Sequence, residues 1–193
     1  RKEVGRSRRL SRTGYVEWGL GDLRPKSAMH VITEVDPGSG ALFARNPYHT
    51  EFGGRVAFFN VDDATRTVSG DRTEFIGRNG TLRSPAAMTR SRLSGKVGAA
   101  LDPCAAIQVP FEIADGQERE FIFTLGAGRD ADDARNLAYR SRGSAAARDA
   151  LEAVWQYWNH TLGAVQVETP DPSLNLLTNG WLLYQTLACR LWA

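Results

Sequence analysis

The feature that most constrains this chain is a change of hydrophobic period at Gly126-Ala127-Gly128. Before it, apolar and polar residues alternate as strands require; after it, apolar residues recur at helical spacings. Val16, Trp18 and Leu20 alternate with Tyr15 and Glu17, and Met29, Val31, Thr33 and Val35 alternate with His30, Ile32 and Glu34. The pattern predicts strands there, a turn at residues 36–40, and further strands over residues 41–44 and 55–61. Residues 107–113 and 118–125 read as a hairpin joined by residues 114–117, with Pro110 marking an edge strand or a bulge. Residues 46–52 and 77–94, rich in Gly, Pro, Asn and Arg, read as irregular.

Beyond the glycines, residues 130–142 place acidic groups first and Arg140 and Arg142 last, the order a helix dipole favours. Ala147, Leu151, Val154, Trp155, Trp158 and Leu162 make residues 144–162 an amphipathic helix. Val165 and Val167 form a short extended piece. Thr169-Pro170-Asp171-Pro172 opens a last helix carrying Leu174, Leu177, Trp181, Tyr184, Gln185, Ala188 and Trp192. That helix is apolar round most of its circumference, so it belongs inside a helical assembly that one helix cannot supply. A start at Arg1 and a stop at Leu191-Trp192-Ala193, with no polar C-cap, lead us to expect a piece of a longer protein. The chain is read as α+β: an antiparallel β-sandwich over residues 1–128, a helical linker over 129–166, and one further helix over 167–193.

Charge narrows the partners. The formal net charge is +2, but residues 1–12 hold six basic residues against Glu3 alone, which leaves −3 for the rest. Binding of nucleic acid or another polyanion would therefore rest on that one segment. Its position directly before the residue 14–18 strand predicts a continuing strand with arginines on its wet face, so nucleic acid is not expected as a partner. No apolar run approaches the ~20 residues of a membrane span, and no secretory leader pattern is present. Cys104 and Cys189 lie far apart, which argues against a disulfide framework or a zinc site.

Motifs for common chemistries are missing. Gly126-Ala127-Gly128 lacks a third glycine, no Walker A lysine exists, and Ser39 is not in a nucleophile elbow. His30, His49 and His160 show no ligand spacing. Asn79-Gly80-Thr81 and Asn159-His160-Thr161 fit a glycosylation sequon by chance. Glycosidic cleavage needs a proton donor and an attacking group, usually two carboxylates. Asp62-Asp63 and Asp130, Asp132 and Asp133 are the acidic clusters, and turn or helix caps explain both. Glu74 is expected in an ion pair with an arginine. Aromatic and polar residues mix in residues 45–52 and 72–75; Tyr48, Glu51, Arg72, Glu74 and Phe75 are the candidates for contacts to sugar faces and hydroxyls.

The strings themselves carry a resemblance. Gly14-Tyr-Val-Glu-Trp18 with Asp22, Asn46-Pro-Tyr-His-Thr-Glu-Phe52, Arg55-Val-Ala-Phe-Phe59, Gly70-Asp-Arg-Thr-Glu-Phe75 and Leu101-Asp-Pro-Cys104 resemble the N-terminal sandwich of glycoside hydrolase family 94. Asn179-Gly-Trp-Leu-Leu-Tyr-Gln185 and Leu187-Ala-Cys-Arg-Leu-Trp192 resemble the start of that family's helical domain, above all in its glucan-synthase branch. The resemblance implies a super-sandwich, two linker helices and the first helix of a truncated (α/α)6 barrel. It implies an inverting phosphorolysis of β-glucosides in the full-length enzyme, with an Asp as general acid and inorganic phosphate as attacking co-substrate. No organic cofactor or metal is implied. The family's general acid maps onto no position of this sequence, so the chain alone is expected to be inactive, with no catalytic residue among those present. The implied partners are a β-glucan, the remaining helical barrel and a second copy in a homodimer; the implied location is the cytoplasm, either free or as the cytoplasmic part of an inner-membrane synthase. A stand-alone carbohydrate-binding module is the alternative, and the unpartnered last helix speaks against it.

Overall fold

The computed structural model describes residues 5–191, which divide into two compact units after Ala146. Arg1, Lys2 and Glu3 of the basic segment, and Trp192 of the last helix, lie outside the described residues.

Among the described residues the first unit contains seven strands in two antiparallel sheets. Strands β1 (Arg8–Glu17), β6 (Pro103–Ile113) and β5 (Thr67–Asp71) form one, in the order β1-β6-β5. Strands β2 (Ile32–Val35), β3 (Leu42–Arg45), β4 (Val56–Val61) and β7 (Phe123–Gly128) form the other, in that order. Between the sheets, Leu42, Ala44, Phe59 and Val61 pack with Val68, Ala105, Ile107 and Val109, and Trp18 and Val31 close the cluster. These apolar groups leave water together, which is the main term holding the layers face to face.

Both sheets are covered outside as well. Helix α3 (Ala131–Arg140) lays Ala134 and Ala138 on Phe43, Val56 and Phe58. On the opposite outer face, helix α2 (Arg72–Ile76), a 3-10 turn (Ala86–Thr89) and the segment after it bring Phe75, Ile76, Ala87 and Leu93 onto Ala106. Every residue of β4 is therefore buried, and its run Val-Ala-Phe-Phe-Asn-Val shows no alternation because neither face meets water. Gly128 marks the closest approach of α3: a Cβ there would lie 2.7 Å from Ala134 Cα.

Three expectations need correction. The anticipated hairpin of residues 107–113 with 118–125 does not form, because β6 pairs with β1 and β5 while β7 pairs with β4 in the other sheet. The connection crosses the sandwich instead, and Asp62 holds its far end by accepting from Ile122 N at 3.0 Å. Nor is the strand carrying Pro110 an edge: β6 is central, and Pro110 opposes Ser11 of β1. The proline is tolerated because β5 pairs with β6 only as far as Gln108, so its missing N–H leaves no ladder partner unmet on that side. Finally, residues 29–35 are not one strand. Pro25 seeds helix α1 (Arg24–Ser27), a 3-10 turn follows over Ala28–His30, and β2 starts at Ile32.

The basic segment does continue into a strand, with Arg8, Arg9 and Arg12 exposed on β1.

Helix α4 (Gly143–Leu162) leads into the second unit, which continues with α5 (Pro172–Leu176), a π-helical turn (Leu177–Trp181) and α6 (Leu182–Leu191). Asp171 caps α5 by accepting from Ser173 N. Asn175 and Asn179 tie the preceding link down through paired bonds to the backbone of Thr169 and Val167. Leu151, Val154, Trp155, Leu176 and Trp181 are exposed.

Candidate functional site

The connection between β3 and β4 turns back over the segment that follows β1, and the reason is local. Asn46 is buried; its Nδ2 donates to Leu20 O at 2.9 Å and its Oδ1 accepts from Tyr48 N at 3.1 Å. One side chain thus starts the turn and fastens it to the neighbouring segment. His49 carries the turn on: its Nδ1 accepts from Phe52 N at 3.1 Å and Glu51 N at 3.3 Å. That leaves the ring proton on Nε2 in the neutral form.

Together these segments enclose a cavity of about 410 Å³. Leu20, Phe52, Ala57 and Ala127 make it largely apolar, while Asp22, His49, Glu51 and Arg55 add polar groups. Arg55 lies over the Phe52 ring at 5.4 Å from its centroid, and His49 tilts against the same ring at 5.1 Å. A smaller cavity of about 220 Å³ adjoins it, sharing Asp22, Asn46 and His49 and adding Lys26, His30 and Tyr48. There His30 stacks on Tyr48 at 4.4 Å. Apolar walls with a few polar groups suit a ligand that has both an apolar face and hydroxyls. No nucleophile paired with a base is found in it, and no cluster among the described residues could hold a metal.

The five candidate residues separate into two places. Tyr48 and Glu51 sit in this turn, both exposed. Arg72, Glu74 and Phe75 lie in α2 against the β1-β6-β5 sheet. Arg72 Nε meets Glu17 at 2.8 Å and its Nη1 meets Asp102 at 3.3 Å; Arg24 pairs with the same two carboxylates. Burial alone would raise the Glu17 carboxyl, but the bonds from Arg72 and Tyr15 win and lower it. Glu74 is the ion-pair partner the sequence suggested: Arg90 reaches Oε1 at 2.9 Å while Ser69 and Ser94 donate to Oε2 at 2.7 and 2.6 Å. Phe75 is buried and stacks on Tyr15 at 4.6 Å, so it presents no face to solvent.

Both acidic clusters do cap. Asp63 accepts from the amide and hydroxyl of Thr65, and Asp130 accepts from Asp133 N at the start of α3. Cys104 is buried and its thiol is pushed up to about 12, chiefly by burial. Sequence reasoning singled out the 45–52 string but not His49, Asp22 or Arg55 as groups converging on one cavity. Their convergence depends on the Asn46–Leu20 bond, which no short motif announces.

The first unit, a two-sheet sandwich with helices on its outer faces, coincides with a known domain, the glycosyl hydrolase 94 supersandwich. The sequence model of that domain matches residues 1–144, and the model of the glycosyl hydrolase 94 superfamily catalytic domain matches residues 157–193. The chain belongs to the glycosyl hydrolase 94 family. It is 36% identical to the cyclic β-(1,2)-glucan synthase NdvB of Rhizobium meliloti (strain 1021), over 100% of this chain and 7% of that protein. It is 25% identical to the N,N'-diacetylchitobiose phosphorylase of Vibrio furnissii, over 96% of this chain and 24% of the relative. Identity to the 3-O-β-D-glucopyranosyl-β-D-glucuronide phosphorylase of Paenibacillus borealis is 26%, over 72% of this chain and 19% of the relative. The chain thus spans about a quarter or less of the length of these relatives. Among the described residues no helix is long and apolar enough to cross a membrane.

Proposed function

We propose that the chain is the scaffold part of a β-glucan-active enzyme of glucan-synthase type. In this reading residues 1–128 are the sandwich, residues 129–166 the linker, and residues 167–193 the first helix of an (α/α)6 catalytic barrel. What supports it is the order of the two family matches along one chain, together with 36% identity to a glucan synthase over the whole of this chain. In the full-length enzyme inorganic phosphate attacks the anomeric carbon of a β-glucoside while an Asp outside this sequence protonates the leaving oxygen. No organic cofactor or metal takes part. The partners are a β-glucan, the rest of the barrel and a second copy of the chain, and the location is the cytoplasm.

The sandwich itself contributes packing and subsidiary sugar contacts. Tyr48 and Glu51 are the residues we place at those contacts, because both are exposed beside the cavity next to β3. Arg72 and Glu74 act through the scaffold, since their charges are already paired.

The purified chain, given linear β-1,2-glucan and phosphate, is expected to release no glucose 1-phosphate; release would overturn the scaffold reading. Titration with linear and cyclic β-1,2-glucans, followed by Trp fluorescence, tests the sugar contacts. A saturable change that Tyr48→Ala weakens supports them, and a flat signal leaves the structural role alone.

A further inference from the structure

The sequence contains two Asn-Gly pairs, Asn79-Gly80 and Asn179-Gly180. They share the same local chemistry, since a glycine after asparagine puts no Cβ in the way of its own backbone nitrogen. The fold treats them oppositely. Asn79 is exposed in the turn that leaves α2, and its side chain makes no hydrogen bond among the described residues. Among the described residues the Gly80 amide is held only by a 3.2 Å bond to Gly77 O, at the long end of the hydrogen-bond range. Asn179, half-buried in the π-helical turn, has both ends of its amide engaged: Oδ1 accepts from Val167 N at 2.7 Å and Nδ2 donates to Val167 O at 2.8 Å.

We propose that Asn79 is a site of spontaneous, backbone-assisted deamidation and that the fold protects Asn179 from the same reaction. The Gly80 nitrogen, its proton lost to solvent base, attacks Cγ of Asn79 and forms a new C–N bond. The Cγ–Nδ2 bond then breaks, and the departing nitrogen takes up a proton and leaves as ammonia. The product is a five-membered succinimide. One water opens it at either carbonyl, giving aspartate or isoaspartate, so the net change is water in and ammonia out. No oxidant, metal or second protein is needed.

The turn matters to the fold around it. Gly80 packs against Ile76 O at the end of α2, where a Cβ would find no room. Either product adds a carboxylate between Arg78 and Arg83, and the isoaspartyl form also lengthens the backbone by one atom where Gly80 touches Ile76. Modification of Asn79 therefore loosens the end of the helix that carries Arg72 and Glu74. At Asn179 the Val167 bonds must first break and the helical turn must open, so the attack is slower. With two such bonds to lose, Asn79 leads by at least about tenfold.

The test is peptide mass spectrometry on the intact 193-residue chain, aged at mildly alkaline pH and then cleaved after glutamate in acidic buffer. This cleavage places Asn79 inside the 75–112 peptide and Asn179 inside the 169–193 peptide. The expected result is an amide-to-acid mass gain on the first peptide well ahead of the second, with both isoaspartyl and aspartyl forms. In urea the two rates should draw level, because only the fold separates them. Equal rates in the native chain, no gain at Asn79, or a lead undiminished in urea would each overturn the proposal. Asn79→Gln keeps an amide at the position and is expected to abolish the gain; persistence would place the reaction elsewhere. Binding and activity measurements do not enter this test, so its failure leaves the glucan reading untouched.

Discussion

Arg135 of α3 grips Asp36 at the end of β2: Nη2 lies 2.7 Å from Oδ1, and Nε lies 2.9 and 3.1 Å from the two carboxylate oxygens. Asp36 is only 3% exposed and also accepts from the amide and hydroxyl of Ser39 at 2.7 Å. One side chain thus closes its own turn and anchors a helix 99 residues away to the β2-β3-β4-β7 sheet.

Asp36→Ala should cost about 2–3 kcal/mol of unfolding free energy, the range for losing hydrogen bonds to a buried charged group. Arg135→Leu should cost less in the Ser39 turn but free α3, because the Ser39 bonds to Asp36 survive. Urea unfolding monitored by circular dichroism measures both. Equal stability of Asp36→Ala and the parent would remove the anchor from the account of this fold.

The same carboxylate gives a pH dependence. Burial alone would raise Asp36, but Arg135 and Ser39 outweigh it and hold it at about 2 against an ordinary 3.8. A lowered pKa contributes stability that is complete above the unfolded value and lost as pH falls through the folded one. The window is therefore pH 4 down to 2, with about 2 kcal/mol at stake. Unfolding series at several pH values should show Asp36→Asn losing that share of the acid slope; an unchanged slope would assign it to other carboxylates.

Glu74→Ala should release the segment that Arg90 and Ser94 tether, at a cost of about 1–2 kcal/mol for bonds to a mostly buried carboxylate. Trypsin should then cut first at Arg90 and Arg92 under native conditions. Resistance equal to the parent would mean that Ala87 and Leu93, buried against α2, hold the segment without the polar bonds.

Gly128→Ala should be the harshest small substitution at the strand-to-helix junction. The new methyl would meet the backbone of Ala134, which has no rotamer to yield. Overpacking of this kind costs about 1–3 kcal/mol. A thermal melt indistinguishable from the parent would show that α3 can shift off the sheet at little cost.

Much of this was legible in the residues. The period switch located the end of β7 at Gly128, and the acidic start at Asp130 with Arg140 and Arg142 at the other end located α3. The Asn46–Phe52 string pointed to the turn that borders the cavity. What misled was the sequence proximity of residues 107–113 and 118–125. Alternation shows that a segment is a strand, but it says nothing of which strand it pairs with. Likewise Tyr48, Glu51, Arg72, Glu74 and Phe75 looked like one kind of aromatic–polar surface. Two of them border a cavity, while three are bound into ion pairs or core on the other sheet.

The sequence by itself determined the periodicities, the caps and the family, because each depends on residues near one another or on strings read in order. Only the tertiary structure decided that β7 joins β4, that α3 is held by Asp36, and that His49 and Arg55 face one cavity with Asp22. Those outcomes depend on which apolar faces can be buried together at the same time. That competition is settled over the whole molecule, and no local stretch of chain contains it.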